Sequence, residues 1–178
     1  MINATDYLAL HPASKFREAV DNALVCKAIT EDEWYELNNR YFTDLYLSGD
    51  NPRAQSGHSG GEEHYIFSHL LLLEAIQKSG SLLDVGCANG YLIESLYKWV
   101  NAVGFSLDVY GLDISEGIIG LAKTRLPQWQ DHFYIGNALT WAPEEKFDYI
   151  CIKGFEYVPE DKQTMLFHHL IQNYLTEN

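Results

Sequence analysis

Short apolar runs and amphipathic stretches alternate along the second half of this chain. Four runs have the length of buried strands: residues 81–85, 107–112, 132–135 and 147–152. Stretches with apolar residues at helical spacing follow the first, second and fourth of these runs: residues 91–97, 116–126 and 159–174. Alternating strands and helices predict an α/β fold with a doubly wound, mostly parallel sheet.

The part of the chain before the first strand predicts helices. Residues 1–47 have helical spacing, and Thr30 with Glu33 has the spacing of a capping box that opens a second helix. Residues 62–78 predict a further helix that leads into the first strand. Between them, residues 48–61 are rich in glycine and serine and predict either a lid over a ligand or a solvated connector. We therefore expect a helical extension with a loop over residues 1–61 and a ligand-binding domain over residues 62–178.

The turn after the first strand carries the clearest chemical signal. Small residues alternate there at Gly86, Ala88 and Gly90, which permits backbone N–H groups to approach a nucleotide-like ligand. The spacing differs from the G-x-G-x-x-G of dinucleotide-binding folds. Asp84 precedes the first glycine, where a carboxylate would repel a pyrophosphate but would accept hydrogen bonds from an amino group. The ligand predicted here has an amine-bearing or cationic part and no phosphate.

An acidic residue ends the second strand. Asp113 is placed to accept hydrogen bonds from two ribose hydroxyls, and Ile114 would lie against an adenine face. Ser115 is the better candidate for the cap of the following helix. Ligands of open α/β sheets bind at the carboxyl ends of the strands, so these residues are expected to meet the glycine turn.

Residues 82–90 resemble motif I of the class I S-adenosylmethionine-dependent methyltransferases, with Ala88 where glycine is usual. The resemblance extends to about Tyr174 and implies a Rossmann-like fold with S-adenosylmethionine as cofactor and S-adenosylhomocysteine as product. It assigns Asn137 to the adenine amino group and the Lys153 backbone to the amino-acid part of the cofactor. The cofactor residues implied are Asp84, Gly86, Cys87, Ala88, Asn89, Gly90, Asp113, Ile114, Asn137, Ala138, Leu139 and Lys153.

The composition of the chain limits the kinds of partner that it is expected to bind. The 178-residue chain has a formal net charge of −13, so nucleic acid and anionic membranes are not expected to bind. It has no long apolar run, and its first ten residues lack the basic region of a secretory signal. Three scattered cysteines predict reduced thiols in a cytoplasmic protein, with Cys87 and Cys151 buried. His64 and His69 are five residues apart and do not predict a metal site.

The leading functional hypothesis is methyl transfer to a small-molecule acceptor without a metal. Weak candidates for a general base are His58, Glu156 and Tyr157. The alternative is a non-catalytic module that binds S-adenosylmethionine or S-adenosylhomocysteine; a methyltransferase of protein or RNA and a nicotinamide-dependent oxidoreductase are less favoured. The sequence does not identify the acceptor.

The resemblance also implies a longer sheet than four strands. No fifth strand is predicted after the last helix, so we expect the sequence to be a C-terminally truncated piece of a longer protein. A buried-type strand left at a sheet edge would tend to pair with another chain, which leaves a homodimer open.

Overall fold

The computed structural model describes residues 12–58 and 60–177. Predictions that fall on residues 1–11, on Ser59 and on Asn178 lie outside the described residues. The chain divides into two compact units, Met1–Phe42 and Thr43–Asn178. The domain boundary predicted after residue 61 stays a prediction.

The first unit contains helix α1 (Pro12–Val25) and most of helix α2 (Glu31–Leu47). The predicted capping box opens α2: the backbone N–H of Thr30 donates to Glu33 Oε2 at 2.7 Å, and the N–H of Glu33 donates to Thr30 Oγ1 at 3.2 Å. Trp34 is buried, and its indole N–H donates to Asp21 at 2.8 Å. Trp34 therefore packs within this unit.

The second unit is built on a four-stranded parallel sheet with the order β3-β2-β1-β4. Its strands are β1 (Gly80–Val85), β2 (Leu107–Asp113), β3 (Phe133–Ile135) and β4 (Tyr149–Ile152). Its helices are α3 (Glu62–Ala75), α4 (Tyr91–Ala102), α5 (Glu116–Arg125) and α6 (Gln163–His169), which a π-turn extends over Leu170–Tyr174. The strand order reverses beside β1, which is the arrangement of a doubly wound sheet. The predicted α/β class is confirmed.

Alternate residues of β1 enter two separate cores. Leu82 belongs to a core that also includes residues of α3, α4 and α5, whereas Leu83 and Val85 belong to one built with residues of α6 and the π-turn. Both faces of β1 are thus covered by helices, which explains why its sequence is apolar without alternation. Asp84 lies on the same face as Leu82, because side chains of a strand alternate.

Several predicted boundaries shift. Helix α3 ends at Ala75, not at residue 78, because Ile76 adopts an extended conformation and is buried in the core. Strand β4 begins at Tyr149, not at residue 147. Phe147 instead makes a parallel bridge with Leu175: its N–H donates to Tyr174 O at 2.7 Å, and Thr176 N–H donates to Phe147 O at 2.9 Å.

This is an isolated bridge and not a fifth strand, and the expectation that the sequence is a piece of a longer protein stays a prediction. After the π-turn the chain runs parallel to the segment that leads into β4.

Candidate functional site

The turn after β1 places three alternate residues in left-handed backbone conformations. Gly86, Ala88 and Gly90 have φ of 78°, 48° and 73°. The N–H groups of Gly86 and Cys87 both donate to Leu112 O, at 2.8 and 3.1 Å, which fixes the turn against the end of β2. Small residues are needed because L side chains with a Cβ are strained at these angles. Ala88 is the residue that carries this strain.

The two glycines of the turn have different surroundings. A Cβ on Gly86 would meet no atom within 4 Å, whereas a Cβ on Gly90 would lie 2.9 Å from Leu126 Cδ1 and 2.9 Å from Phe133 Cζ. Gly86 therefore keeps the open side of the turn clear. Core packing also restricts Gly90, whose role toward a ligand stays a prediction. Gly111 on β2 carries no signal in the sequence, but a Cβ added at this position would lie only 2.7 Å from Cys87 Sγ.

Asp113 links β2 to this turn. Its Oδ2 accepts the N–H of Ala88 at 3.0 Å, and its Oδ1 accepts the N–H of Ser115 at 3.0 Å. Burial raises the pKa of Asp113 more than its hydrogen bonds to Ser115, Ala88 and Ile114 lower it. A carboxylate offers about four acceptor positions, so these bonds leave capacity for a ligand hydroxyl. Ser115 caps α5 as predicted, accepting the N–H of Ile118 at 3.3 Å.

Asp84 is a buried carboxyl group at the end of β1. Burial raises its pKa to about 7, although the nearby Lys153 ammonium and a hydrogen bond with the Cys151 thiol lower it. Cys151 and Cys87 are themselves buried, and burial raises the pKa of both thiols, so neither is a nucleophile at neutral pH. All three cysteines are free, as predicted.

Asn89 ties the turn to the glycine-rich segment. Its side chain is fully buried, its Nδ2 donates to Pro52 O at 2.8 Å, and its Oδ1 accepts the N–H of Tyr91 at 3.1 Å. The guanidinium of Arg125 donates to the backbone oxygen of Asn89 at 3.0 Å. The side chain of Asn89 thus joins the backbone at Pro52 to the backbone at Tyr91.

The remaining adenine-side candidates lie beyond β3. Asn137 makes a local turn in which its Oδ1 accepts the N–H of Leu139 at 3.0 Å. Ala138 and Leu139 are half-buried and pack against the core that includes Leu83. Ile114 is exposed. The adenine role of these residues stays a prediction.

The three candidates for a general base fall at two places. His58 lies beside His64 and His69, with ring centroids 5.4 and 5.9 Å away. Glu156 and Tyr157 are in a short 3-10 turn after β4, Phe155–Tyr157. The hydroxyl of Tyr157 lies 3.1 Å from that of Tyr46.

Helix α2 contributes residues that the sequence did not single out. Burial, together with the nearby Tyr157, Asp113 and Glu156, raises the pKa of Tyr46. Thr43 Oγ1 lies 2.6 Å from Ser115 Oγ. The last turn of α2 therefore adjoins the Asp113 end of the site. No sequence signal separates Tyr46 from the other tyrosines.

Comparison with known proteins now identifies the family. A family model described as a methyltransferase domain matches residues 82–174, just over half of the chain. The chain belongs to the methyltransferase domain family. The resemblance noted in motif I is thereby confirmed. No match is found among curated proteins.

Solved structures share the fold of this methyltransferase domain. The phosphoethanolamine N-methyltransferase 1 of Haemonchus contortus is 16% identical, with a TM-score of 0.63 over 85% of this chain and 32% of its own. NodS of Bradyrhizobium japonicum is 18% identical, with a TM-score of 0.57 over 76% of this chain and 67% of its own. ChlM of Synechocystis is 20% identical, with a TM-score of 0.53 over 86% of this chain and 72% of its own. The chain spans only about a third of the first of these proteins.

Within residues 12–58 and 60–177 the structure contains neither a candidate membrane-spanning helix nor a candidate metal site. None of the helices there is long and apolar enough to cross a membrane. No group of three or more histidine, cysteine, aspartate or glutamate side chains in that part of the chain has the geometry to hold a metal ion.

Proposed function

We propose that this chain binds S-adenosylmethionine at the carboxyl ends of β1 and β2 and transfers its methyl group to a small-molecule acceptor. One observation carries the proposal: the left-handed turn from Gly86 to Gly90 is hydrogen-bonded at Ala88 to the Asp113 carboxylate. This places backbone N–H groups and a carboxylate around a strand end where ligands of such sheets bind. Membership of the methyltransferase family supports it.

Each part of the cofactor has a partner of suitable chemistry in this arrangement. A ribose hydroxyl would donate to the remaining acceptor position of Asp113, and the amino group to Asp84. The open face at Gly86 would let the cofactor approach the backbone of the turn closely. When bound, the sulfonium supplies an electrophilic methyl group, so the protein's task is to hold an acceptor in line with it.

The small-molecule acceptor is supported by the solved structures of similar fold. Their descriptions name phosphoethanolamine and magnesium protoporphyrin IX methyltransferases, and bound S-adenosylhomocysteine or S-adenosylmethionine. The net charge of −13 disfavours a nucleic-acid acceptor. If the acceptor must lose a proton, His58, Glu156 and Tyr157 are the candidates for the general base.

Calorimetric titration with S-adenosylhomocysteine, followed by methyl-transfer assays with acceptor mixtures, tests the proposal. Binding with transfer to a small molecule supports it. Binding without transfer to any acceptor favours the non-catalytic module. Absence of binding, together with stabilisation by NAD in a thermal-shift assay, would instead favour a nicotinamide-dependent enzyme.

A further inference from the structure

Lys153 is held by a buried imidazole. Its Nζ lies 2.5 Å from His69 Nε2, and His69 Nδ1 lies 2.6 Å from the backbone oxygen of Tyr65. A carbonyl oxygen only accepts hydrogen bonds, so Nδ1 carries the proton and Nε2 presents its lone pair to Lys153. The neutral histidine orients the ammonium group without cancelling its charge.

The surroundings keep this histidine neutral. His69 is buried, and burial lowers its pKa, with Lys153 and His64 acting in the same direction. Its hydrogen bond to the Tyr65 backbone opposes them. The ring of His58 lies edge-on to that of His69, with their centroids 5.9 Å apart. Burial lowers the pKa of His58, and nearby groups that include Lys153 lower it further. The lowered pKa values of His58 and His69 favour their neutral forms beside the Lys153 ammonium.

The Asp84 carboxyl group and the Lys153 ammonium interact electrostatically. Asp84 has a pKa of about 7 and is the partner proposed for the cofactor's amino group. Glu62 lies 3.5 Å from the guanidinium of Arg53 and accepts hydrogen bonds from Tyr91. An ammonium group has three N–H donors, and His69 accepts one of those of Lys153, so the group can also donate to a ligand.

We propose that Lys153, positioned by His69, binds a single oxyanion carried by one of the two reactants of the methyl transfer. This inference rests on the proposed function. Two sources supply the same chemistry: the α-carboxylate of the cofactor, or a carboxylate or phosphate group of the acceptor. Asp84 and Lys153 then form a negative and a positive group at the ends of adjacent strands, since Asp84 pairs with Cys151 in the sheet register.

Two ligands separate the sources. S-adenosylhomocysteine has the amino-acid part, and 5′-methylthioadenosine lacks it. If the carboxylate comes from the cofactor, Lys153→Gln weakens binding of S-adenosylhomocysteine by about ten- to a hundredfold and leaves that of 5′-methylthioadenosine unchanged. If the anion belongs to the acceptor, Lys153→Gln leaves both affinities unchanged and abolishes the binding of inorganic phosphate or acetate to the S-adenosylhomocysteine complex.

Conservative variants test the positioning role. Lys153→Arg retains the charge and should restore most of the lost affinity. His69→Gln keeps an acceptor for Lys153, whereas His69→Phe removes it, so only the second should reproduce the Lys153→Gln phenotype. Lys98→Gln, an exposed lysine paired with Glu94 on α4, serves as the matched control.

The proposal is overturned if Lys153→Gln changes none of these affinities, or weakens 5′-methylthioadenosine as much as S-adenosylhomocysteine. Thermal unfolding of every variant shows whether a loss reflects unfolding. If the unsubstituted protein binds neither nucleoside, the proposed function is itself wrong. That result differs from the selective failure of the oxyanion site.

Discussion

The carboxylate of Asp113 accepts the backbone N–H of Ala88 at 3.0 Å. This bond joins the end of β2 to the turn that follows β1, and it places an acidic side chain against a backbone stretch with positive φ. The geometry of the turn and the proposed contact with the ribose therefore depend on the same carboxylate.

Replacing Asp113 by asparagine tests this dependence. The backbone N–H groups of Ala88 and Ser115 now donate to the two carboxylate oxygens. An asparagine side chain has one oxygen and one NH₂ group, so its NH₂ group would face one of these N–H donors. We expect affinity for S-adenosylhomocysteine to fall by about 1–3 kcal/mol, the range for a lost hydrogen bond to a charged group. Calorimetry measures it, with Asp131→Asn on the exposed surface as control. Unchanged affinity in the Asp113 variant would remove the ribose assignment.

Gly86 and Gly90 form a matched pair for separating ligand access from packing. Both have φ above 70°, so alanine adds similar backbone strain of about 1–2 kcal/mol at either position. Only at Gly90 does the new methyl group meet Leu126 and Phe133. We expect Gly90→Ala to have the lower unfolding free energy and Gly86→Ala the weaker binding of S-adenosylhomocysteine.

Chemical denaturation and calorimetry on the two variants check this ordering. If Gly86→Ala binds as tightly as the unsubstituted protein, the open side of the turn does not face the ligand. If the two variants unfold alike, the contacts of Gly90 contribute nothing beyond strain.

Asp84 predicts a pH dependence of stability. Its pKa is about 7 in the folded chain, against an ordinary value of 3.8. Between these values the folded state holds a proton that the unfolded state has lost, so the unfolding free energy falls as pH rises from about 4 to about 7. The raised pKa of Asp113 acts in the same direction. Asp84→Asn should flatten this part of the curve in urea titrations at several pH values.

The same group predicts proton release on binding. A cationic amino group beside Asp84 favours its ionised form, so binding of S-adenosylhomocysteine near pH 6 should release protons. Calorimetry in buffers of different ionisation enthalpy measures this release. An Asp84→Asn variant that releases as many protons as the unsubstituted protein would contradict the assignment.

The hydrogen bond from Asn89 to Pro52 O predicts control over the glycine-rich segment. Asn89→Asp keeps an oxygen for the N–H of Tyr91 but places a carboxylate against a carbonyl oxygen. We expect faster hydrogen exchange in peptides that cover residues 49–58, measured by mass spectrometry, with little change in β1. Protection equal to that of the unsubstituted protein would show that other contacts hold the segment.

Local sequence patterns predicted the parts of the site that local chemistry determines. The turn from Gly86 to Gly90 is recognisable because only small residues adopt its backbone angles, and Ser115 because a hydroxyl caps the helix that follows it. The contact of Lys153 with His69 joins residues 84 positions apart, and nothing in either segment signals it. Tyr46 was missed for the same reason, since its contact with Tyr157 joins residues 111 positions apart.

Elsewhere, tertiary contacts overrode the local pattern. Ile76 continues the helical spacing of α3, but it leaves the helix and is buried in the core beneath the sheet. Phe147 is apolar like the residues of β4, but it lies before that strand and forms a bridge with Leu175. Both errors concern element ends, where burial against a distant segment competes with local propensity.

A crystal structure of the complex with S-adenosylhomocysteine tests the central claim most directly. The account predicts a ribose hydroxyl within hydrogen-bond distance of the Asp113 carboxylate, and the bound ligand against the open face of Gly86. An empty crevice, or a ligand whose ribose contacts neither oxygen of Asp113, would contradict it.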